Sequence, residues 1–443
     1  MEHNKALDRK IWDIAWPAIL SNISVPLLGL VDAAILGHLG STRYLGAVAI
    51  GGALLSFLYW GFSFLRMGTT GLVAQAAGAG RNDVATLVLA RSAILALLLA
   101  LAVVLLHPLW VEVGFALMAP QAELRPLAES YVAIRIFSAP AVLVTYTVVG
   151  WFIGHQNTRW PMVIVIVTNA ANIALDFLLI VGLGLNSDGA ALATLLAEYL
   201  GCAVALWAVW LNLDDKLERG FTERVVDLEA FRQLLRSNRH LFIRTVCLLF
   251  SFAFFTAMGD KLGADVLAAN TLLMHLLLLA AYGMDGFAFA AEGLSGNRLG
   301  ARDLEGFYRA VRRCALWCML SGAIISLFLT AFYQPVFRVL SDIAEVRELM
   351  EQHYLWLAAI PLIAAPSYLL DGVFIGGTQT RFMMSTMLFS TFAVYLPLWY
   401  LTQGLGNHGL WLAFTAFNAA RGITLYACYR WLSDQGKWLV VHH

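Results

Sequence analysis

Carboxyl groups in apolar surroundings are the residues of this chain best suited to chemistry. Asp32 stands in SNISVPLLGLVDAAILGHLG, with Pro26 six residues before it. A second apolar run, WPMVIVIVTNAANIALDFLLIVGLG, carries Asn169, Asn172 and Asp176 at i, i+3 and i+7. On a helix these three form one polar stripe. An ionised side chain near the centre of a bilayer costs at least roughly 2.5–3.5 kcal/mol on insertion scales. The stripe therefore faces protein, not lipid. The chemistry it suggests is reversible binding of a proton or small cation. An amide can donate to a carboxylate or accept from a carboxylic acid, so Asp32, Asn169, Asn172 and Asp176 make a candidate titrating network. The bland readings are a helix-packing hydrogen-bond cluster and, for Asp32, a solvated helix end. Proline removes a backbone donor and crowds the preceding turn. The helix carrying Asp32 is expected to bend at Pro26, so that proton binding moves backbone.

Further acids lie downstream. Asp285 and Glu292 share a helical face at i, i+7, and Asp371 sits in APSYLLDGVFIGG. Substrate contact, a second ion site and pairing with Arg244 are all open for them. Glu198 falls four residues after Thr194. Arg66, Arg135, Arg244 and Arg421 also fall in apolar stretches, where snorkelling or pairing with an acid is the plain reading. No G-x-x-x-x-G-K-[ST], H-E-x-x-H, G-x-S-x-G or paired-cysteine metal pattern is present. An enzyme, a nucleotide motor and a protein-held metal or other cofactor are not expected. The cysteines, Cys202, Cys247, Cys314, Cys318 and Cys428, read as small hydrophobes.

The elements that must position these groups follow from composition. The chain has 443 residues, 60% hydrophobic and 13% charged, with zero net charge. Mean hydropathy is +0.73. Such a chain has no surface to keep it dissolved in water, and no bulk charge to draw it to nucleic acid. Apolar runs of spanning length lie near 11–36, 46–74, 85–109, 127–153, 161–184, 188–212, 239–260, 265–293, 307–333, 348–377, 382–403 and 407–432. Lipid cannot satisfy an open strand edge, so they must be helices. The expected fold is an all-α integral membrane protein of about twelve transmembrane helices. Twenty Lys and Arg then fall at one membrane face and five at the other. By the positive-inside rule both termini are cytoplasmic. The start, MEHNKALDRK, runs into a long apolar segment that reads as a retained helix rather than a cleaved leader. His442-His443 is assigned nothing.

Residues 213–238 form the one long polar stretch. Val226, Leu228, Phe231, Leu234 and Leu235 give its second part helical periodicity, and it reads as a cytoplasmic linker with an amphipathic helix at the interface. It separates an N-lobe, 1–212, from a C-lobe, 239–443, with six spans each. The halves repeat. GWFIGHQNTR at Gly150–Arg159 recurs as GVFIGGTQTR at Gly372–Arg381, with six identities in ten positions. At the same offset Gly78-Ala79 recurs as Gly300-Ala301, and Leu183-Gly184 as Leu405-Gly406. Six spans per half make a parallel repeat about an axis along the membrane normal, an architecture of alternating-access transporters with substrate between the lobes. The positions matching Asn169, Asn172 and Asp176 are Thr391, Val394 and Leu398, so the N-lobe reads as the proton lobe.

Taken together, SNISVPLLGLVDAAILGHLG, RMGTTGLVAQAAGAG, SDGAALATLLAEY, DGFAFAAEGLSG and LLDGVFIG resemble the multidrug and toxic compound extrusion family, within it the bacterial DinF-like branch. The resemblance runs from Trp16-Pro17 to Arg421. It implies two pseudo-symmetric six-helix bundles facing a central cleft in the bacterial inner membrane. It also implies export of bulky, often cationic organic compounds by cation antiport. In that family a helix 1 acid is the main protonation site, here Asp32, supported by Asn172 and Asp176. A helix 4 tyrosine and a helix 6 threonine near the same cavity would be Tyr131 and Thr194. Protonation would bend helix 1 at Pro26. The sodium-coupled branch has an acid like Asp371 and another inside helix 7. Leu241–Met258 contains none, which favours protons over sodium. Sodium at Asp32, Asn172 and Asp176 stays open. A monomer is expected. A lipid-linked precursor flippase is the rival function, and it asks for a cationic cleft near Arg135 and Arg244.

Overall fold

The computed structural model describes residues 2–39, 41–118, 120–213 and 224–439. The first part of the polar linker, 214–223, and His442-His443 lie outside the described residues. Among the described residues every regular element is helical. In chain order they are α1 Glu2–Gly37, α2 Thr42–Gly61, α3 Phe64–Gly78, α4 Asn82–Leu105, α5 His107–Met118, α6 Arg125–Arg135, α7 Ala139–Gly154, α8 Arg159–Asp176 and α9 Asn186–Asn212. The second half holds α10 Leu228–Lys261, α11 Ala264–Gly300, α12 Leu304–Leu340, α13 Ala344–Gly376, α14 Thr380–Phe389, α15 Leu396–Thr402 and α16 Asn407–Asp434. Among the described residues eleven helical stretches are long and apolar enough to cross a membrane. The twelfth, α16, has the length but carries Asn418 and Arg421 in its middle, which lowers its hydropathy. About twelve spans therefore stand, as composition requires.

The sequence repeat reappears as backbone conformation. Gly80 and Arg302 occupy the same repeat position, and both turn with positive φ, 71° and 57°. Gln156 and Thr378, each after a G-x-F-I-G run, match at 60° and 55°. Gly184 and Gly406 match at 67° and 57°. Left-handed backbone is costly for most residues with a Cβ. Its recurrence at three equivalent turns, even where glycine is replaced, shows that the turn geometry was duplicated with the helices.

From Leu228 onward the periodic stretch of the linker is not a separate element, and Val226 lies in the turn before it. Leu228 opens α10, a single helix that runs on to Lys261. The amphipathic segment and the span share one axis because no glycine or proline interrupts residues 228–258. Three irregularities lie elsewhere in the chain. Phe62 and Ser63 separate α2 from α3, and π-helical turns at Phe177–Gly182 and Ser390–Tyr395 interrupt two spans.

The chain forms two compact units. One, the N-terminal unit, contains Leu20–Val73 and Arg81–Leu234. The other, the C-terminal unit, contains Met1–Ile19, Ala74–Gly80 and Leu235–His443. α1 runs unbroken through Pro17 and Pro26, yet its first nineteen residues belong to one unit and the rest to the other. Within the C-terminal unit, Asp8 of α1 accepts from Arg313 Nε at 2.8 Å, from Arg313 Nη2, and from Trp317 Nε1 at 3.0 Å. Trp12 packs edge-on against Phe287 and Trp317, with centroids 5.1 and 5.3 Å away. Gln75 Nε2 donates to the Gly376 carbonyl at 3.0 Å and to Thr378 Oγ1 at 3.2 Å. The core of this unit is aromatic, with Phe255, Tyr395, Trp411, Phe414 and Phe417 fully buried. Offset and edge-on ring contacts hold such a core in one arrangement.

Candidate functional site

The acids of the first half meet inside the N-terminal unit. α8 is an apolar helix whose buried face carries Asn172 and Asp176, each only 1% exposed. Burial of that stripe against other helices is the cheapest place for it in a lipid-facing protein. Asn172 Nδ2 donates to Asp176 Oδ2 at 2.6 Å and to Asp32 Oδ1 at 3.3 Å. One amide thus bridges carboxyls on α1 and α8. The two carboxyls also lie within hydrogen-bonding reach of each other, so a proton on either one can bond the other. Asp176 Oδ1 and Asn172 Oδ1 take no hydrogen bond from the described residues. The π-helical turn begins directly after Asp176. Such turns recur at functional sites because they displace a side chain from regular helical register.

Asn169 sits one turn earlier on α8. Its Nδ2 donates to Ser24 Oγ at 3.3 Å and to the Ser24 carbonyl at 3.4 Å. The Ser24 hydroxyl in turn donates to the Ser21 carbonyl at 2.7 Å. α8 therefore grips α1 on both sides of Pro26, at Ser24 before it and at Asp32 after it. The Pro26 position itself is exposed.

The remaining candidates separate into other groups. Glu198 of α9 does not join the Asp32 cluster. It pairs with Arg135 of α6, Oε1 accepting from Nη2 at 2.8 Å. Tyr131 belongs to that pair, its hydroxyl accepting from Arg135 Nη1 at 3.1 Å. Tyr59 and Ser138 complete the cluster, with their hydroxyls 3.0 Å apart and both donating to the Arg135 carbonyl. Thr194 donates to the Ala190 carbonyl of its own helix at 3.0 Å. It makes no hydrogen bond to the acids, because the backbone one turn back satisfies its donor. Sequence reading leaves Arg135 between snorkelling and pairing with an acid, and does not identify Glu198 as the acid. The signal was present, since a guanidinium and a carboxylate both stand in apolar runs where each needs a partner.

In the C-terminal unit Asp371 is held by two guanidinium groups. Its Oδ2 accepts from Arg244 Nη2, and from Arg421 Nη2 at 2.9 Å. Arg421 further reaches Asn418 Oδ1 at 3.4 Å and lies over the Phe417 ring, 5.6 Å from its centroid. Of the readings open for Asp371, the geometry shows the pairing with Arg244, joined by Arg421. Asp285 lies in the same charged neighbourhood, acting on Tyr368 together with Asp371, Arg244 and Arg421. Glu292, 2% exposed, is buried further along α11.

Comparison with known proteins fits this geometry. The MatE family pattern matches residues 17–178 and again residues 241–401, once in each half. DNA damage-inducible protein F of Escherichia coli is 38% identical over 441 residues, covering 97% of this chain and 94% of that protein. The probable multidrug resistance protein NorM of Thermotoga maritima is 21% identical, covering 92% of this chain and 89% of that one. Among solved structures, a variant of the Vibrio cholerae MATE transporter VcmN covers all of both chains with a TM-score of 0.88 at 20% identity. The same transporter in its bent form has a TM-score of 0.86 and covers 99% of this chain and 100% of that one. Matches in both halves and over nearly the whole length settle the assignment: the chain belongs to the MatE family, and is a multi-pass multidrug and toxic compound extrusion transporter, not an enzyme.

Proposed function

We propose that this protein exports bulky, often cationic organic compounds in exchange for protons, with Asp32 and Asp176 as the shared proton site and Asn172 as their bridge. The observation that carries the reading is the Asn172 amide donating to both carboxyls at once. Two ionised carboxylates this close in a low-dielectric interior repel strongly. The pair is relieved by one proton, which the two oxygens share, or by a cationic substrate. Proton and substrate then compete for the same negative charge, and competition for one site is the simplest basis of antiport. Proton arrival at Asp32 weakens its hold on Asn172. That loosens α1 beyond Pro26, where the missing backbone donor makes bending cheap. The bend displaces the substrate.

Protons fit better than sodium on two counts. A sodium ion needs a shell of oxygens, yet Asn172 turns its Nδ2 toward the acids and leaves its Oδ1 unpartnered. In the C-terminal unit, Arg244 and Arg421 already neutralise Asp371. The lipid-linked flippase reading asks for free cations, whereas Arg135 and Arg244 are each ion-paired to an acid. The protein sits in the bacterial inner membrane with both termini cytoplasmic. This reading draws on the excess of Lys and Arg at one face. Each chain carries a whole site inside one unit and acts as a monomer.

The test is dye efflux from proteoliposomes under an imposed pH gradient and, separately, a sodium gradient. Efflux by wild type under the pH gradient alone, and its loss in Asp32→Asn, is the expected result. Efflux driven by sodium alone would overturn the proton assignment. Transport by neither gradient would return the flippase.

A further inference from the structure

The pair Arg135–Glu198 leaves bonding capacity unused on both partners. Arginine and carboxylate frequently meet through two parallel bonds, as Arg313 and Asp8 do in this protein. Here Arg135 gives one bond to Glu198, at 2.8 Å, and one to Tyr131, at 3.1 Å. Arg135 Nε and Glu198 Oε2 are both buried and take no hydrogen bond among the described residues. Each partner therefore keeps spare bonding capacity in an interior where unused capacity is costly. Arg135 also lies within electrostatic reach of Asp32. Its other neighbours from the packed helices are phenols, Tyr59 and Tyr131, while Tyr146 faces Glu198 and feels Arg66. Asp176 faces Asp32 from α8.

We propose that Arg135 is a positioning residue of the proton site, a guanidinium for which Glu198 and ionised Asp32 compete. Asp32 with its charge pulls Arg135 toward α1 and away from Glu198. Asp32 with a proton releases Arg135 to Glu198, the arrangement seen in the structure. The charge state of α1 is thereby reported to α6 and α9, two helices that Asp32 does not hydrogen-bond. The inference rests on the proton-coupled reading above, and it assigns a role to a residue that reading does not use.

The competition predicts opposite signs for two variants. The positive charge of Arg135 favours the ionised form of Asp32, so Arg135→Gln moves the pH midpoint of efflux upward, by about one unit. Glu198→Gln removes both a competitor for Arg135 and a negative charge, so its midpoint moves downward. Arg135→Lys, which keeps the charge, stays near wild type. The double variant Arg135→Gln/Glu198→Gln leaves neither charge stranded and falls between the singles.

The experiment is the pH profile of dye efflux in proteoliposomes for wild type and these four variants, each first checked as a monodisperse peak in detergent. Opposite shifts of the two single variants support the inference. Shifts of the same sign, or none, overturn it and make the pair a structural brace, which both single variants would weaken alike. If one single variant does not yield folded protein, the remaining single decides by its sign against the double variant. A wild type with no pH-dependent efflux would instead sink the proton reading itself, so the two failures are told apart.

Discussion

At the scale of single residues, the site depends on one amide serving two acids. Asn172→Leu keeps the shape of the side chain and removes its donor. A hydrogen bond to a charged group contributes about 1.5–3 kcal/mol, so efflux should fall at least about tenfold in a vesicle assay. Efflux at the wild-type rate would show that Asn172 only packs helices. The C-terminal unit gives a prediction about stability. Asp371→Ala takes away the carboxylate to which both Arg244 and Arg421 donate. Breaking a buried pair from one side costs about 3–5 kcal/mol. The variant should therefore melt well below wild type by detergent thermostability. Melting at the wild-type temperature would contradict a structural role for this cluster. The three residues at the centre were legible in the sequence for an energetic reason. Charge and amide are expensive in an apolar run, so Asp32, Asn172 and Asp176 announce a shared interior. What the sequence could not supply was the pairing of the other polar side chains. Tyr131 turns to Arg135, and Thr194 turns to the Ala190 carbonyl. Those choices depend on helix rotation and rotamer, and residue type constrains neither.

At the scale of helices, α1 is the element with two allegiances. Its start is fixed in the C-terminal unit by Asp8, Arg313 and Trp317. Its end is gripped by α8 through Asn169 and Asn172. Pro26 lies between the two contacts with α8, where the missing N–H weakens the helix. In this structure α1 is one helix from Glu2 to Gly37, so on the proposed mechanism the bend expected from the sequence is a second state. Pro26→Ala restores a backbone hydrogen bond and stiffens that point. It should preserve expression and dye binding while slowing efflux severalfold. Unchanged efflux would remove the bend from the mechanism. Helix boundaries were legible from glycine and proline, and the merged helix α10 was not. The polar residues before Leu241 read as an interfacial segment, yet nothing in 228–258 forces the helix to stop.

At the scale of the whole molecule, duplication was legible because the turn motifs kept their spacing, and the matching positive φ angles show why those motifs persisted. The compact units were not legible, because chain order suggests a cut in the linker. Residues Met1–Ile19 and Ala74–Gly80 nonetheless belong with the second half. A C-terminal half expressed alone should therefore be unstable. Co-expression of 1–216 with 217–443 should restore efflux, since the first piece supplies both segments. A stable, monodisperse C-terminal half would contradict this. On the proposed mechanism substrate and proton exchange at Asp32 and Asp176. The measurement that tests it most directly is proton release on adding a cationic dye to purified protein in lightly buffered detergent solution. Wild type should release protons in proportion to dye bound, and Asp32→Asn should release few or none. Dye binding to wild type without proton release would contradict the account.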